Sequence, residues 1–266
     1  KYILFKKRTE QEVRQKFRED SGEMLDDVIE ELKEYLAQAT RIVFLGGAGV
    51  STESGIPDFR SAQGLYQKKA CLKPEEILSH SFFKKEPAAF FDFYRANMLY
   101  PQAQPNLVHR TLARWEQEGK VQAIVTQNID GLHQKAGSRN VLELHGSIYE
   151  NHCLGCAKKY GLEMILNTQG IPKCPYCGGI IKPDVVLYEE ALNEKVLNQA
   201  ISAISSADLL MVGGTSLNVY PAAGLIHYLK RGNLVLLNKT ATEMDACADL
   251  VIHDTLGDIF SQLQEE

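Results

Sequence analysis

The run Ile42-Val43-Phe44-Leu45 passes directly into Gly46-Gly47-Ala48-Gly49-Val50-Ser51, and no other stretch limits the fold as tightly. Consecutive β-branched and aromatic residues predict a buried strand over Arg41–Leu45. Glycines straight after it predict backbone that approaches a ligand or another strand with no Cβ in the way. A buried strand needs sheet neighbours, and the chain supplies apolar runs at Ala123–Thr126, Val141–Leu144, Leu209–Val212, Leu234–Leu237 and Leu250–Ile252. Helical patterns lie between them at Leu25–Ala39, Leu192–Ser205 and Ala222–Lys230, with a last short helix near the end. Strands alternating with helices predict an α/β fold, a doubly wound parallel sheet of Rossmann-like type.

Two stretches interrupt that alternation. Residues 61–120 read as helical, with Pro87 and Pro105 each placed to open a helix and Gly119 to close one. Residues 151–181 carry four of the six cysteines. The expected organisation is therefore a large Rossmann-like domain (24–63, 121–150 and 182–266), a helical module at 64–120 and a small module at 151–181. Residues 1–23 are basic in a chain of net charge −5. They read either as an extension preceding a start at Met24 or as a helix docked on the surface. The acidic balance argues against a nucleic-acid partner held by bulk electrostatics. No apolar run is long enough to span a membrane and no signal peptide is evident, so no membrane partner and a cytoplasmic location are expected.

Cys153-x2-Cys156 and Cys174-x2-Cys177 are two knuckles separated by 17 residues. That spacing predicts one tetrahedral zinc ion. Four thiolates leave no open coordination position, so the ion is expected to be structural and to hold a small ribbon without a core of its own. His152 adjoins Cys153 as a spare ligand that the complete set does not need.

The chemistry-bearing residues fall at strand ends, where open parallel sheets bind ligands. Gly47-x-Gly49, after a strand and before a predicted helix, lacks the third glycine of the full dinucleotide fingerprint. The loop continues into Ile56-Pro57-Asp58-Phe59-Arg60, where Arg60 is a fixed cation for phosphate and Phe59 an aromatic face. Gln127, Asn128 and Asp130 follow the second strand in Thr126-Gln127-Asn128-Ile129-Asp130-Gly131-Leu132-His133. His145 follows the third strand, either as a general base near neutral pH or as a satisfied structural histidine. Gly214, Thr215 and Ser216 follow the strand Leu209–Val212, and Asn238 follows Leu234–Leu237; small hydroxyls and an amide suit phosphate and ribose.

Taken together, these motifs resemble the sirtuins, the NAD-dependent protein deacylases, and by style the bacterial members. The resemblance covers residues 25–260. It rests on Gly-Ala-Gly-Val-Ser with Gly-Ile-Pro-Asp-Phe-Arg, on Thr-Gln-Asn-Ile-Asp-Gly-Leu-His, on Leu-His-Gly, on the paired knuckles, on Pro-Asp-Val-Val and on Gly-Thr-Ser-Leu-x-Val-Tyr-Pro-Ala. It implies an NAD site lined by Ala48, Gly49, Thr52, Asp58, Phe59, Arg60, Gln127, Gly214, Thr215, Ser216 and Asn238. Ile129 and Asp130 would hold the nicotinamide carboxamide, Asn128 would order the ribose and a water, and His145 would be the general base. The implied reaction passes the acyl group of a protein lysine to NAD, giving nicotinamide, free lysine and 2′-O-acyl-ADP-ribose. The acyl-lysine peptide would lie as an added strand between Val185-Val186-Leu187-Tyr188 and Leu217-Asn218-Val219.

The sequence departs from the family pattern in three places. Gly46 stands where many members have Thr. Leu187-Tyr188-Glu189-Glu190 replaces aromatic-Phe-Gly-Glu. Phe91 and Tyr94 stand where members that remove acidic acyl groups carry Tyr-x-x-Arg, with Arg95 one position on. Without that Arg an acyl carboxylate has no fixed partner, so neutral acyl groups, chiefly acetyl, are expected. The loop Gly49–Arg60 is expected to act as a lid that excludes water. Two other readings remain: an NAD hydrolase or ADP-ribosyltransferase on the same scaffold, and an NAD-binding sensor without turnover.

Overall fold

The computed structural model describes residues 22–58 and 72–264. The apolar runs form a six-stranded parallel sheet: β1 (Ile42–Gly46), β2 (Val121–Thr126), β3 (Val141–Glu143), β7 (Leu209–Gly213), β8 (Asn233–Leu237) and β9 (Leu250–Ile252), in the order β3-β2-β1-β7-β8-β9. The chain lays strands outward on one side of β1 and then returns to lay the rest on the other side. The order therefore reverses between β1 and β7, and parallel sheets bind ligands at such a switch point.

Both faces of the sheet are covered, as continuous apolar strands require. Helices α1 (Gly22–Gln38), α5 (Leu107–Gln117) and α9 (Leu256–Ser261) pack on one face through Ile29, Leu112, Trp115 and Phe260. On the other face, α8 (Glu194–Ser206) and a 3-10 helix over Ala222–Tyr228 contribute Ala200, Ile204, Leu225 and Ile226. Leu192–Ser205 thus appears two residues late at its start, because Asn193 accepts the N–H groups of Lys195 and Val196 and fixes the cap there.

A second, antiparallel sheet lies in the crossover between β3 and β7. Its strands are β4 (Gly146–Cys153), β5 (Lys159–Tyr160) and β6 (Ile181–Val185), in the order β5-β4-β6. A third apolar cluster joins it to Leu78, which follows the short helix α2 (Pro74–Ile77), and to the helices α3 (His80–Lys85), α4 (Pro87–Asn97) and α7 (Leu162–Leu166).

Four local expectations are corrected. Residues 107–117 fall in the stretch expected as helical module, but their helix belongs to the large sheet. Pro105 does not open that helix; Asn106 caps it, accepting from the N–H groups of Val108 and His109. The glycine loop leads into two short 3-10 turns, Ala48–Val50 and Thr52–Ser54, instead of a helix. Residues 146–150 and 182–185, expected in the large domain, are strands of the small sheet. The reason is Gly146, whose φ of +74° turns the chain out of the large sheet. A Cβ on Gly146 would lie 1.8 Å from the Asp184 carbonyl oxygen, so only glycine permits the turn. No helix among the described residues is long and apolar enough to cross a membrane.

Candidate active site

The glycines meet at the switch point. Gly49 N–H donates to the Gly214 carbonyl at 2.8 Å, and Gly47 N–H to that of Gly213 at 3.2 Å. Gly214 has a φ of +62°, and a Cβ there would stand 2.5 Å from the Val50 nitrogen. The two loops are thus zipped together by backbone, which explains glycine on both sides. Gln127 on the β2 end bridges them, its amide donating to Thr215 Oγ1 at 3.0 Å.

Beside this zip lies a polar network. Ser51 Oγ donates to Asp130 Oδ2 at 2.6 Å and accepts from Asn128 Nδ2 at 3.2 Å. Asp130 Oδ1 accepts the Leu132 N–H at 2.9 Å. Burial raises the pKa of Asp130, and its bonds from Ser51 and Leu132 oppose that shift. Asn128 is set by its own N–H, which donates to Thr126 Oγ1 at 3.0 Å. Ser51 is the hub, although its place after the glycines was the only sequence signal of that role. His109 was missed. It lies buried behind Ser51, with Nε2 3.5 Å from Oγ, and burial lowers its pKa to about 4.

His145 is the joint between the two sheets. Its Nδ1 lies 2.9 Å from the Gln127 carbonyl, an acceptor only, so Nδ1 carries the hydrogen and Nε2 keeps its lone pair. Burial lowers its pKa, partly offset by that bond, so the ring is neutral near pH 7. A half-buried, neutral imidazole with a fixed tautomer is equipped to accept a proton.

The remaining predicted residues spread along the same edge of the sheet. Ala48 is half-buried on the loop, and Thr52 is exposed, with Oγ1 donating to the Gly49 carbonyl. Asp58, Ser216 and Asn238 are half-buried, and Asn238 Nδ2 donates to the Thr240 carbonyl at 3.1 Å. Phe59 and Arg60 lie outside the described residues, as do Cys71 and the segment 1–21. Ile129 is half-buried against the third apolar cluster.

The segment expected to receive the peptide strand has backbone partners of its own. Tyr188 donates its N–H to Leu78 and accepts from the His80 N–H, forming a parallel bridge at Ser79. Leu187 spends its N–H on the Glu190 carboxylate and its C=O on the Glu190 N–H. An added strand that paired with the backbone of Leu187 and Tyr188 would meet groups already bonded within the chain. Leu217, at a φ of +53°, buries its side chain in the core of the large sheet, while Asn218 is exposed.

In the small module, the four Sγ atoms of Cys153, Cys156, Cys174 and Cys177 lie within 4.8 Å of one another. Cys153 and Cys177 are 3.3 Å apart and Cys156 and Cys174 3.6 Å, with all four thiols free. Four sulfurs at zinc–sulfur distance in a tetrahedron stand about 3.8 Å apart, so the set fits one zinc ion. His152 turns away from the sulfurs and pairs with Asp184.

The Sir2 family matches residues 47–221. That span runs from the glycine loop through the cysteine ribbon to the loop after β7, over more than half of the chain. The chain belongs to the Sir2 family. A Clostridium perfringens protein described as an NAD-dependent protein deacetylase is 57% identical over 90% of this chain and 99% of its own length. A Staphylococcus epidermidis protein of the same description is 42% identical over 88% of this chain and 96% of its own length. Among solved structures, a Sir2–p53 peptide–NAD+ complex matches with a TM-score of 0.80 at 38% identity, covering 88% of this chain and 96% of that one. A Sir2 structure bound to a propionylated peptide matches equally well in TM-score, at 37% identity and the same coverage. Family membership accounts for the fold and for the cysteine ribbon inserted between β3 and β7.

Proposed function

We propose that this Sir2-family chain is an NAD-dependent protein-lysine deacylase acting chiefly on acetyl-lysine. The observation that carries the reading is His145, held with a free Nε2 beside the Ser51–Asn128–Asp130 network at the switch point. The relatives' description as deacetylases and the peptide-bound neighbours support it.

NAD supplies an electrophilic ribose carbon with nicotinamide as its leaving group. The chain's own residues do the rest. Gly47, Gly49 and Gly214 bring backbone close to the pyrophosphate, Gln127 steadies Thr215, and Ser216 and Asn238 offer polar groups to the ribose and adenine end. Asp130 and Ile129 hold the carboxamide, and Ser51 keeps Asp130 and Asn128 oriented by bonding to both. His145 accepts a proton at Nε2, and the Gln127 carbonyl steadies the Nδ1–H of the imidazolium so formed. Val186, Leu187 and Tyr188, with Leu217 and Asn218, line the peptide side. Zinc in the ribbon is structural.

Neutral acyl groups remain the expected substrates. Arg95 is not available to an acyl carboxylate: its guanidinium donates to the carbonyls of Ile165 and Gly170. The reading is tested by nicotinamide release with and without an acetyl-lysine peptide. Release that requires the peptide supports deacylation. Release at the same rate without it favours the NAD hydrolase instead.

A further inference from the structure

The cysteine set has a partner that its ligand count does not require. Tyr160, on the two-residue strand β5, places its hydroxyl 3.0 Å from Cys174 Sγ. Zinc takes cysteine as thiolate, so in the loaded site the sulfur has no hydrogen to give and the phenol is the donor. Among the described residues, no other side-chain oxygen or nitrogen is bonded to any of the four sulfurs. Cys153 Sγ instead receives the Gly155 N–H at 3.3 Å.

The bond is fixed from both sides. Tyr160 pairs with Asn151 in the β4–β5 hairpin, which carries the first knuckle. Cys174 belongs to the second knuckle, where its N–H donates to the Gly179 carbonyl at 2.8 Å. The hydroxyl therefore bonds across the two knuckles and not within one. The Tyr160 ring packs against the third apolar cluster, a place that phenylalanine would fill as well. Packing alone does not call for the oxygen.

Four thiolates overbalance one zinc ion, so the loaded set is an anion. Cys156 and Cys177 are exposed, and water can solvate their sulfurs. Cys153 and Cys174 are buried, so their thiolates depend on protein donors. We propose that Tyr160 is a positioning residue for the zinc ion. Its hydroxyl donates to Cys174 Sγ and so holds the second knuckle on the metal. The proposal concerns the ribbon and stands apart from the deacylase reading.

The test compares zinc-loaded wild type with Tyr160→Phe, which keeps the ring and removes the oxygen. Competition with a chromogenic chelator gives the zinc affinity of each. The variant should bind zinc about ten- to a hundred-fold more weakly, the usual effect of losing an outer-shell partner. With cobalt(II) in place of zinc, the sulfur-to-metal absorption of the variant should move to lower energy, because a thiolate without its donor is richer in electrons. A tyrosine that only packs would lower the melting temperature and leave that band where it is. Equal zinc affinity in the two proteins overturns the proposal, and so does an unmoved cobalt band. If the variant fails to fold, cadmium-113 in the wild type decides: the Tyr160 hydroxyl proton should show coupling to the metal through Sγ, and no such coupling overturns the proposal.

Discussion

His145 acts through the hydrogen it does not carry. The Gln127 carbonyl claims Nδ1–H, and burial holds the ring's pKa below the ordinary imidazole value. A base with a lowered pKa stays competent as the pH falls through neutrality and fails only when it protonates. The acid limb of kcat/KM should therefore have its midpoint below about 6.5. A pH–rate profile checks this, and a midpoint above the free-imidazole value would contradict the assignment. His145→Ala should abolish turnover while NAD binding persists. The sequence made His145 a candidate through its place after a strand, and the family resemblance made it the base. Its tautomer was not legible, because the deciding acceptor lies 18 residues away on another strand. Ser51 was legible only as a polar residue after the glycines, for the same reason: its partners Asp130 and Asn128 are 79 and 77 residues distant.

Among the elements, the cysteine ribbon is small, with strands of eight, two and five residues. Its sulfurs replace the core it lacks. Yet it is not isolated: Arg95 on α4 reaches the Ile165 and Gly170 carbonyls, and Cys153, Cys174 and Ile165 belong to the same apolar cluster as Phe91 and Leu187. Stripping zinc with a chelator should therefore cost activity as well as local order, although no ligand cysteine lies in the proposed active site. The expected result is parallel loss of deacylation and of bound zinc, with recovery when zinc is restored under reducing conditions. Full activity in metal-free protein would remove the structural role. Paired knuckles are legible from spacing alone, since the metal dictates it. The strand boundaries around them were not, because Gly146 looks in sequence like any turn glycine. Its necessity comes from Asp184, a close neighbour only in three dimensions. The backbone partners of Leu187 and Tyr188 were not legible for the same reason, since they come from Glu190 and from the Leu78–His80 segment.

At the scale of the whole molecule, the alternation of apolar runs and helices was enough to give the doubly wound sheet, because both faces of each strand must be buried. The switch point follows from strand order, which periodicity does not report. Behind that point lie His109 and His133, both buried with rings 4.7 Å apart. Burial lowers the pKa of each, that of His109 to about 4. The folded chain then binds fewer protons than the unfolded chain as the pH falls below the free value. Stability is fully present above about pH 6.5 and declines below it, by about 1 kcal/mol for His109 at about pH 5.5. The melting temperature of zinc-saturated protein should fall between about pH 7.5 and 5.5; a flat profile would mean that the pair protonates inside the fold. A base, a zinc-held peptide wall and a dinucleotide switch point together make one deacylase. Mass spectrometry of the products from NAD and an acetyl-lysine peptide tests it most directly. Nicotinamide, unmodified lysine peptide and acetyl-ADP-ribose should form in equal amounts. Free ADP-ribose with the peptide still acetylated would contradict it.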